Sequence, residues 1–161
     1  NARKAKKTWK LIWDIFEDNG ANEYATWVWE IYVGESVVYN PERFYPGDKY
    51  VDWIGLSTYS RDQYSSGKRS FNSLARSGYR RARINHPDKP VMMAEFGKTN
   101  SAYQANWIED AYNTLKSWPG MKAAIYWNNW NADLMDDHTL NSVTKMRLNN
   151  IFKDKYFICE K

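Results

Sequence analysis

An unbroken apolar run at residues 89–97 sets the main limit on how this chain can fold. The run reads Lys-Pro-Val-Met-Met-Ala-Glu-Phe-Gly. It is too short for a helix, and it lacks the alternation of a strand with one face in water. The sequence therefore predicts a strand covered on both faces, with Glu95 near its end. Because burying a carboxylate is costly, Glu95 is either an ion-paired or edge-exposed structural residue or part of a functional site.

Three further apolar runs predict strands at Ala25–Trp29, Val51–Tyr59 and Lys122–Asn128. Helical spacing of apolar residues predicts helices at about Lys4–Asp18, Ser70–Asn85, a stretch ending near Ser117, and Thr139–Lys153. Residues 31–49 are rich in Gly and Pro and predict a long loop. Strands that alternate with helices predict a parallel sheet. On spacing alone, a small doubly wound sheet suits 161 residues better than a complete eight-stranded barrel, which needs roughly 250 residues.

The composition is unusual in its aromatic residues, which make up 17% of the chain. Aromatic faces form core contacts, and they also stack on sugar rings, so the excess points toward carbohydrate. The net charge of +4 comes from basic residues that fall on predicted helix exteriors, and no recognition motif accompanies them. No window of eighteen apolar residues occurs. We therefore expect neither a nucleic acid nor a membrane as a partner.

The residues that usually hold metals are few and poorly spaced. Cys159 is the only cysteine, and His86 and His138 have no third ligand at a fixed spacing. Three loop aspartates are expected to solvate their loop and to favour the start of the next helix: Asp133, Asp136 and Asp137. We expect no metal site and no cofactor.

Three motifs, taken together and in this order, carry a family resemblance. They are the stretch 45–56 (Tyr-Pro-Gly-Asp-Lys-Tyr-Val-Asp-Trp-Ile-Gly-Leu) followed by Tyr59, the stretch 94–97 (Ala-Glu-Phe-Gly), and the stretch 124–128 (Ala-Ile-Tyr-Trp-Asn). They resemble successive strands of the family 26 glycoside hydrolases, which include β-mannanases and some β-glucanases and β-xylanases. The resemblance implies a (β/α)8 barrel, of which residues 1–161 would be one domain forming the C-terminal half. Residues 1 and 2 are interpreted as a remnant of cloning, and the parent enzyme is expected to be secreted or on the cell surface.

The resemblance also implies roles for individual residues. Glu95 corresponds to the nucleophile of a retaining mechanism, and Tyr59 to the tyrosine that hydrogen-bonds it. Trp127, with Trp130 as the alternative, corresponds to the aromatic platform for a sugar at the end of the last strand. The expected substrate is a β-linked polysaccharide or oligosaccharide such as β-mannan.

Two departures from the family pattern affect these expectations. In the family, the acid/base glutamate lies on the fourth strand of the complete barrel. That strand comes before the four strands predicted here, so we expect this chain alone to be inactive. Residues 29–32 read Trp-Glu-Ile-Tyr where the family has Trp-Ser-Pro-Asn. Glu30 is thus either a displaced second carboxylate near the substrate or a salt-bridged surface residue. The open edges of a half barrel require a cover, either an N-terminal half or a second copy of the chain.

Two other functions remain open at this point. In a non-catalytic carbohydrate-binding domain, Trp29, Tyr59, Trp127 and Trp130 would stack on a glycan while Glu95 only hydrogen-bonds hydroxyl groups. A doubly wound signalling or cofactor domain would need a glycine-rich phosphate loop after its first strand, and residues 33–35 (Val-Gly-Glu) are a poor one.

Overall fold

The chain forms a four-stranded parallel sheet whose strands are separated by α-helices, except that only short 3-10 helices, at Pro41–Phe44 and Asp48–Tyr50, are described between the first two strands. The computed structural model of the protein describes residues 1–34, 40–131 and 136–157, apart from the side chains of residues 130, 131, 136 and 157. The strands of the sheet are β1 (Val28–Tyr32), β2 (Trp53–Ser60), β3 (Val91–Lys98) and β4 (Met121–Tyr126). The α-helices are α1 (Ala2–Asp18), α2 (Phe71–Asn85), α3 (Gln104–Ser117) and α4 (Ser142–Ile151). After β4, a separate antiparallel ribbon joins β5 (Trp130–Asn131) to β6 (Asp136–Asp137).

The order of the strands in the sheet is the order of the strands in the chain. β1 pairs with β2, β2 with β3, and β3 with β4, all in parallel. A doubly wound sheet reverses its strand order at a switch point, whereas a (β/α) barrel adds each strand beside the previous one. The sequential order therefore excludes the small doubly wound sheet and matches consecutive units of a barrel.

The first strand begins three residues later than the sequence indicated. It was expected at Ala25–Trp29, but pairing with β2 begins at Val28 opposite Trp53 and continues to Tyr32 opposite Ser57. Trp27 precedes the strand, and its backbone N–H donates to the Asp52 carboxylate at 2.7 Å. Residues 31 and 32, which were assigned to the following loop, therefore belong to the strand, and Glu30 lies in its middle.

Helix starts follow the capping side chains of the sequence. The Ser70 hydroxyl accepts from the Ser73 N–H at 3.2 Å and begins α2 at the expected place. The Asn141 side chain accepts from the Thr144 N–H at 2.9 Å, so α4 starts after residue 141 and three residues later than expected. Asn1 caps α1 by accepting from the Arg3 N–H at 3.1 Å.

The hydrophobic core lies between one face of the sheet and helices α2 and α3. Residues that alternate along β2 and β3 point into it and are fully buried: Ile54, Leu56, Val91, Met93 and Phe96. The helices contribute Phe71, Leu74, Ile108 and Leu115. The ring of Phe71 meets those of Phe96 and Trp107 edge-on at 5.7 and 5.5 Å.

The second face of the sheet is open in this chain. Ile125 is 54% exposed, and Glu30 and Tyr32 on β1 are exposed as well. Among the described residues, no strand lies beyond β1 or β4. The expectation that the strands are buried on both faces is therefore met in the middle of β2, where residues 54–58 are buried in succession, but not on β1 and β4, whose second face is exposed in the part of the chain that the structure describes.

Helix α1 packs beside the start of β2 through its tryptophans. The Trp9 indole N–H donates to the Tyr50 carbonyl at 2.9 Å, and the ring of Trp13 meets the ring of Tyr50 edge-on at 5.2 Å. A second apolar flank of the helix has no cover in the described chain, and its residues are about half exposed: Leu11, Ile12 and Ile15.

Each helix within the described ranges is too short or too polar to cross a lipid bilayer. Within the same ranges, His, Cys, Asp and Glu side chains nowhere converge in a group of three that could hold a metal ion.

Candidate active site at the carboxyl ends of the strands

A bulge in β3 turns Glu95 toward the open face of the sheet. Leu56 of β2 lies opposite Met93, but the next residue, Ser57, lies opposite Glu95, so Ala94 is an extra residue. Before the bulge, buried and half-buried residues alternate; Ala94 and Glu95 are then half-buried in succession, and Phe96 returns to the core. The bulge therefore places the Glu95 side chain on the face that the helices do not cover.

Tyr59, near the end of β2, holds the Glu95 carboxylate. Its hydroxyl donates a short hydrogen bond to Glu95 Oε2. Burial, this hydrogen bond and the nearby charges of Glu95 and Glu30 raise the pKa of Tyr59 well above its usual value, and Arg61 opposes the rise. The phenol consequently remains a proton donor at any physiological pH, and it fixes the orientation of the carboxylate.

Two cationic or aromatic groups pack on the ring of Tyr59. The Arg61 guanidinium lies 4.9 Å from the ring centroid, and the His138 ring lies 5.1 Å away. Gly97 makes this close packing possible: a Cβ added there would lie 3.0 Å from His138 Nδ1 and 3.1 Å from Tyr59 Cδ1. A side chain at this position of the 94–97 motif would require the two rings to shift by a few tenths of an ångström.

His138 is a residue of the site that the sequence interpretation missed. The residue is buried. Its backbone N–H donates to the Asn129 carbonyl at 2.9 Å, and its backbone carbonyl accepts from the Tyr126 hydroxyl at 2.9 Å. It follows β6 and lies far from Glu95 in the chain, so only the fold brings the two together. The Asp136-Asp137-His138 sequence carries no spacing signal that would have identified it.

Asp137 anchors this segment. Partial burial opposes its ionisation, but hydrogen bonds from Thr139 and Asn100 and the nearby His138 lower the pKa of Asp137 overall. Its Oδ1 accepts from the Thr139 N–H at 2.8 Å, and its Oδ2 accepts from Asn100 Nδ2 at 3.1 Å. Asp137 therefore ties two loops together beyond the solvating role expected from sequence. Asp133 lies outside the described residues, as does the side chain of Asp136.

The aromatic residues proposed for sugar binding are placed differently from one another. The Trp127 N–H donates to the Phe96 carbonyl at 2.8 Å, which puts Trp127 just past β4, beside the strand of Glu95, with 41% of the residue exposed. Trp130 begins β5, and its side chain lies outside the described residues. Trp29 is 5% exposed and packs edge-on against Tyr45 at 4.8 Å in the helix layer. The structure thus brings Trp127 but not Trp29 to this end of the open face.

Glu30 is exposed on the open face, opposite Gly55 of β2. It forms no salt bridge with any residue that the structure describes, and its charge is one of those that raise the pKa of Tyr59. It lies two strands from Glu95 and two residues further from the carboxyl ends of the strands. With strands about 4.8 Å apart and about 3.3 Å per residue, the two Cα atoms are separated by roughly 12 Å.

A second feature that the sequence did not reveal is a clamp between the loops after β2 and β3. Lys98 is 1% exposed, and its ammonium group forms an ion pair with Asp62. The Asp62 N–H donates to the Thr99 hydroxyl at 3.1 Å, and the Thr99 N–H donates to the Ser60 carbonyl at 2.9 Å. These contacts fix the loop that carries Arg61 above Tyr59.

Comparison with known proteins places this arrangement in a family. The sequence model for Glycosyl hydrolase family 26 matches residues 1–158. Endoglucanase H of Acetivibrio thermocellus is 32% identical over 139 residues, which are 81% of this chain and 15% of that protein. The chain therefore spans a small part of this relative.

Solved structures agree in fold. The catalytic domain of the GH26 endo-β-1,4-mannanase from Bacillus sp. JAMB-750 aligns with a TM-score of 0.73 at 18% identity, over 97% of this chain and 45% of that one. The double mutant of the Cellulomonas fimi endo-β-1,4-mannanase aligns with a TM-score of 0.68 at 19% identity, over 94% and 35%. The four parallel strands and their helices thus form part of a (β/α)8 barrel. The chain belongs to glycosyl hydrolase family 26.

Proposed function

We propose that this chain provides the nucleophile-bearing half of a retaining glycoside hydrolase that cleaves a β-linked polysaccharide such as β-mannan. The observation that carries the proposal is the hydrogen-bonded Tyr59–Glu95 pair at the carboxyl ends of β2 and β3, the end where barrel enzymes carry out their chemistry. Family membership supports glycoside hydrolysis in general, and the two mannanase structures support mannan as the first substrate to test.

In this mechanism, Glu95 attacks the anomeric carbon of the sugar. A bond forms between a carboxylate oxygen and that carbon while the bond to the leaving oxygen breaks, and an acid protonates the leaving oxygen. Water, which gives its proton to the conjugate base of that acid, then displaces Glu95 from the sugar. Tyr59 holds one oxygen of the carboxylate throughout, which leaves the other oxygen to attack. The exposed ring of Trp127 beside β3 is suited to stack on a sugar next to the bond that is cut.

The acid/base residue must come from outside these four strands. Barrel enzymes carry out their chemistry at the carboxyl ends of the strands, and Glu30 lies two strands from Glu95 and two residues further from those ends. We assign Glu30 to substrate binding, where an exposed carboxylate on the open face can accept a hydrogen bond from a sugar hydroxyl. The chain alone should accordingly lack turnover of natural polysaccharides.

A reagent that needs no acid catalyst tests Glu95 in the chain itself. In 2-deoxy-2-fluoro glycosides of dinitrophenol, the dinitrophenolate departs without protonation, and the fluorine slows hydrolysis of the glycosyl-enzyme. We expect the mannosyl or glucosyl reagent to add one fluorosugar to the chain, on the peptide that contains Glu95, as measured by mass spectrometry. The Glu95→Gln variant should remain unlabelled, and the matched Glu30→Gln variant should be labelled. An adduct on another residue, or equal labelling of Glu95→Gln, would contradict the assignment.

Turnover requires the strands that would close the barrel opposite β1 to β4. Joining residues 1–161 to the strands that precede the corresponding region of a family 26 mannanase should restore hydrolysis of mannan, mixed-linkage glucan or xylan. The Glu95→Ala change should then lower the rate at least about 10³-fold. Hydrolysis that survives this change would show that another residue is the nucleophile.

A non-catalytic carbohydrate-binding domain is the second candidate, and the exposed Trp127 favours it. In that case Glu95 only accepts hydrogen bonds from sugar hydroxyls. Oligosaccharide affinity would survive Glu95→Gln, no fluorosugar adduct would form, and the joined protein would show no hydrolysis.

A further inference from the structure

An open pocket of about 540 Å³ lies between the loop after β2 and the beginning of α3. Both surrounding loops follow carboxyl ends of strands, so the pocket shares its end of the sheet with Glu95. It lies on the helix side of the sheet, however, because it is lined by Trp107 of α3 and by Lys98, whose side chain leaves β3 toward the core. It is therefore separate from the open face that carries Glu95.

The floor of the pocket is fixed in place. The Trp107 indole N–H donates to the Arg69 carbonyl at 3.1 Å, and the residue is 6% exposed. Asp110 accepts from the Phe71 N–H at 3.1 Å, and the buried Lys98 is held by Asp62. A ligand would consequently meet a preformed surface, and little conformational entropy would be lost on binding.

The wall of the pocket combines an aromatic ring with polar groups. Tyr103 is 70% exposed, and it precedes α3 with no role in the core. One turn further on, Asn106 Oδ1 accepts a hydrogen bond from the Arg147 guanidinium at 2.5 Å. The side-chain NH₂ group of Asn106 therefore points away from Arg147 and can donate to a ligand. Lys68 and Ser70 line the opposite side. An exposed aromatic face beside amide, hydroxyl and ammonium donors is the combination that binds a sugar ring, with C–H groups on the aromatic ring and hydroxyls on the polar groups.

We infer that this pocket, centred on Tyr103, Asn106 and Lys68, is a second glycan-binding site that holds a sugar unit of the polysaccharide outside the catalytic face. The choice of a β-linked glycan as its ligand rests on the proposed function. Two sites at one end of the sheet would keep a polymeric substrate near Glu95 between successive cuts.

Backbone amide chemical shifts of the labelled chain, titrated with mannohexaose and with cellohexaose, test this site separately from the catalytic one. We expect shifts at residues 67–70 and 103–107. The Tyr103→Ala variant should bind roughly three- to tenfold more weakly at these residues. The matched control Tyr24→Ala, which removes a 90% exposed tyrosine at the opposite end of the sheet, should leave the affinity unchanged. Glu95→Gln should leave the shifts at residues 103–107 unchanged as well.

Shifts confined to the neighbourhood of Glu95 and Trp127 would overturn the second site and leave the proposed function standing. If neither sugar shifts the signals of residues 67–70 and 103–107, the second site is also overturned, whatever the result of fluorosugar labelling. Failure of Glu95 labelling together with shifts at these residues would instead reject the nucleophile and keep the second site.

Discussion

The hydrogen bond from Tyr59 to Glu95 is the residue-scale feature on which the proposed chemistry depends. We expect Tyr59→Phe to slow fluorosugar labelling about 10- to 100-fold, because a hydrogen bond to a charged group is lost while the ring and its packing remain. The labelling rate by intact-mass measurement checks this. Tyr64→Phe, at a 61% exposed position in the loop after β2, is the control and should label at the original rate. Equal rates for all three proteins would mean that Tyr59 does not position the carboxylate.

A side chain at Gly97 should destabilise the fold. An added Cβ would approach the rings of His138 and Tyr59 to 3.0 and 3.1 Å, and both rings are packed. Gly97→Ala is therefore expected to destabilise the chain by about 1–3 kcal/mol in urea unfolding and to slow labelling of Glu95. A variant with unchanged stability and labelling would show that the two rings move apart freely.

At the scale of single residues, the family motifs selected Tyr59 and Glu95, which a hydrogen bond joins in the structure. An apolar run ending in a carboxylate predicted that Glu95 was either structural or functional, and the resemblance then indicated its partner Tyr59. His138 and the Lys98–Asp62 pair were not predicted, because their contacts join segments that are distant in sequence. The role of Glu95 as the nucleophile stays a prediction, which the labelling experiment tests.

At the scale of elements, close contact between α2 and Val33, the residue that follows β1, depends on a second glycine. A Cβ on Gly78 would lie 2.1 Å from Val33 Cγ1, so Gly78→Ala would force the helix away from Val33. We expect a loss of about 1–3 kcal/mol in the free energy of unfolding, despite the gain of up to about 1 kcal/mol in helix propensity. Ser77→Ala, one residue earlier on the exposed side of α2, should be neutral or slightly stabilising. Chemical denaturation of the three proteins makes the comparison, and a stabilised Gly78→Ala would contradict this packing argument.

The element types were predictable because apolar spacing distinguishes short buried strands from amphipathic helices. Two features were not. The shift of β1 depends on a contact between Trp27 and Asp52, and the bulge at Ala94 exists only as a register between neighbouring strands. Both are set by tertiary pairing, which local patterns do not contain.

At the scale of the whole molecule, the open face of the sheet should drive association of the isolated chain. Ile125 is 54% exposed on β4, at an edge with no partner strand in the described chain. We expect light scattering to give a dimer mass, and Ile125→Lys to shift the population toward monomer by placing a charge in the contact. The control Ile84→Lys changes a 77% exposed residue on α2, away from this face, and should remain dimeric. A monomeric unmodified chain would contradict the prediction.

Stability should fall in alkali because several tyrosines are held neutral. Burial raises the pKa of Tyr112 to about 12. Between pH 10 and 12 this tyrosine ionises in the unfolded chain but not in the folded one. Its contribution to the free energy of unfolding is therefore fully present below pH 10 and decreases as the pH rises through that window. Urea unfolding at pH 7 and 11 should therefore show a smaller loss of stability for Tyr112→Phe than for the unmodified chain, by about 1 kcal/mol. An identical loss in both proteins would exclude Tyr112 as a contributor.

The sequential strand order also has a kinetic consequence. Each strand of the sheet pairs only with the strand next to it in the chain, so every pairing closes a loop of modest length. Parallel pairings across such crossovers form more slowly than helices or hairpins, but none of them waits for a segment beyond the next strand. The four-stranded sheet that carries Glu95 is therefore expected to assemble strand by strand from β1 onward, in the order in which the ribosome synthesises the strands.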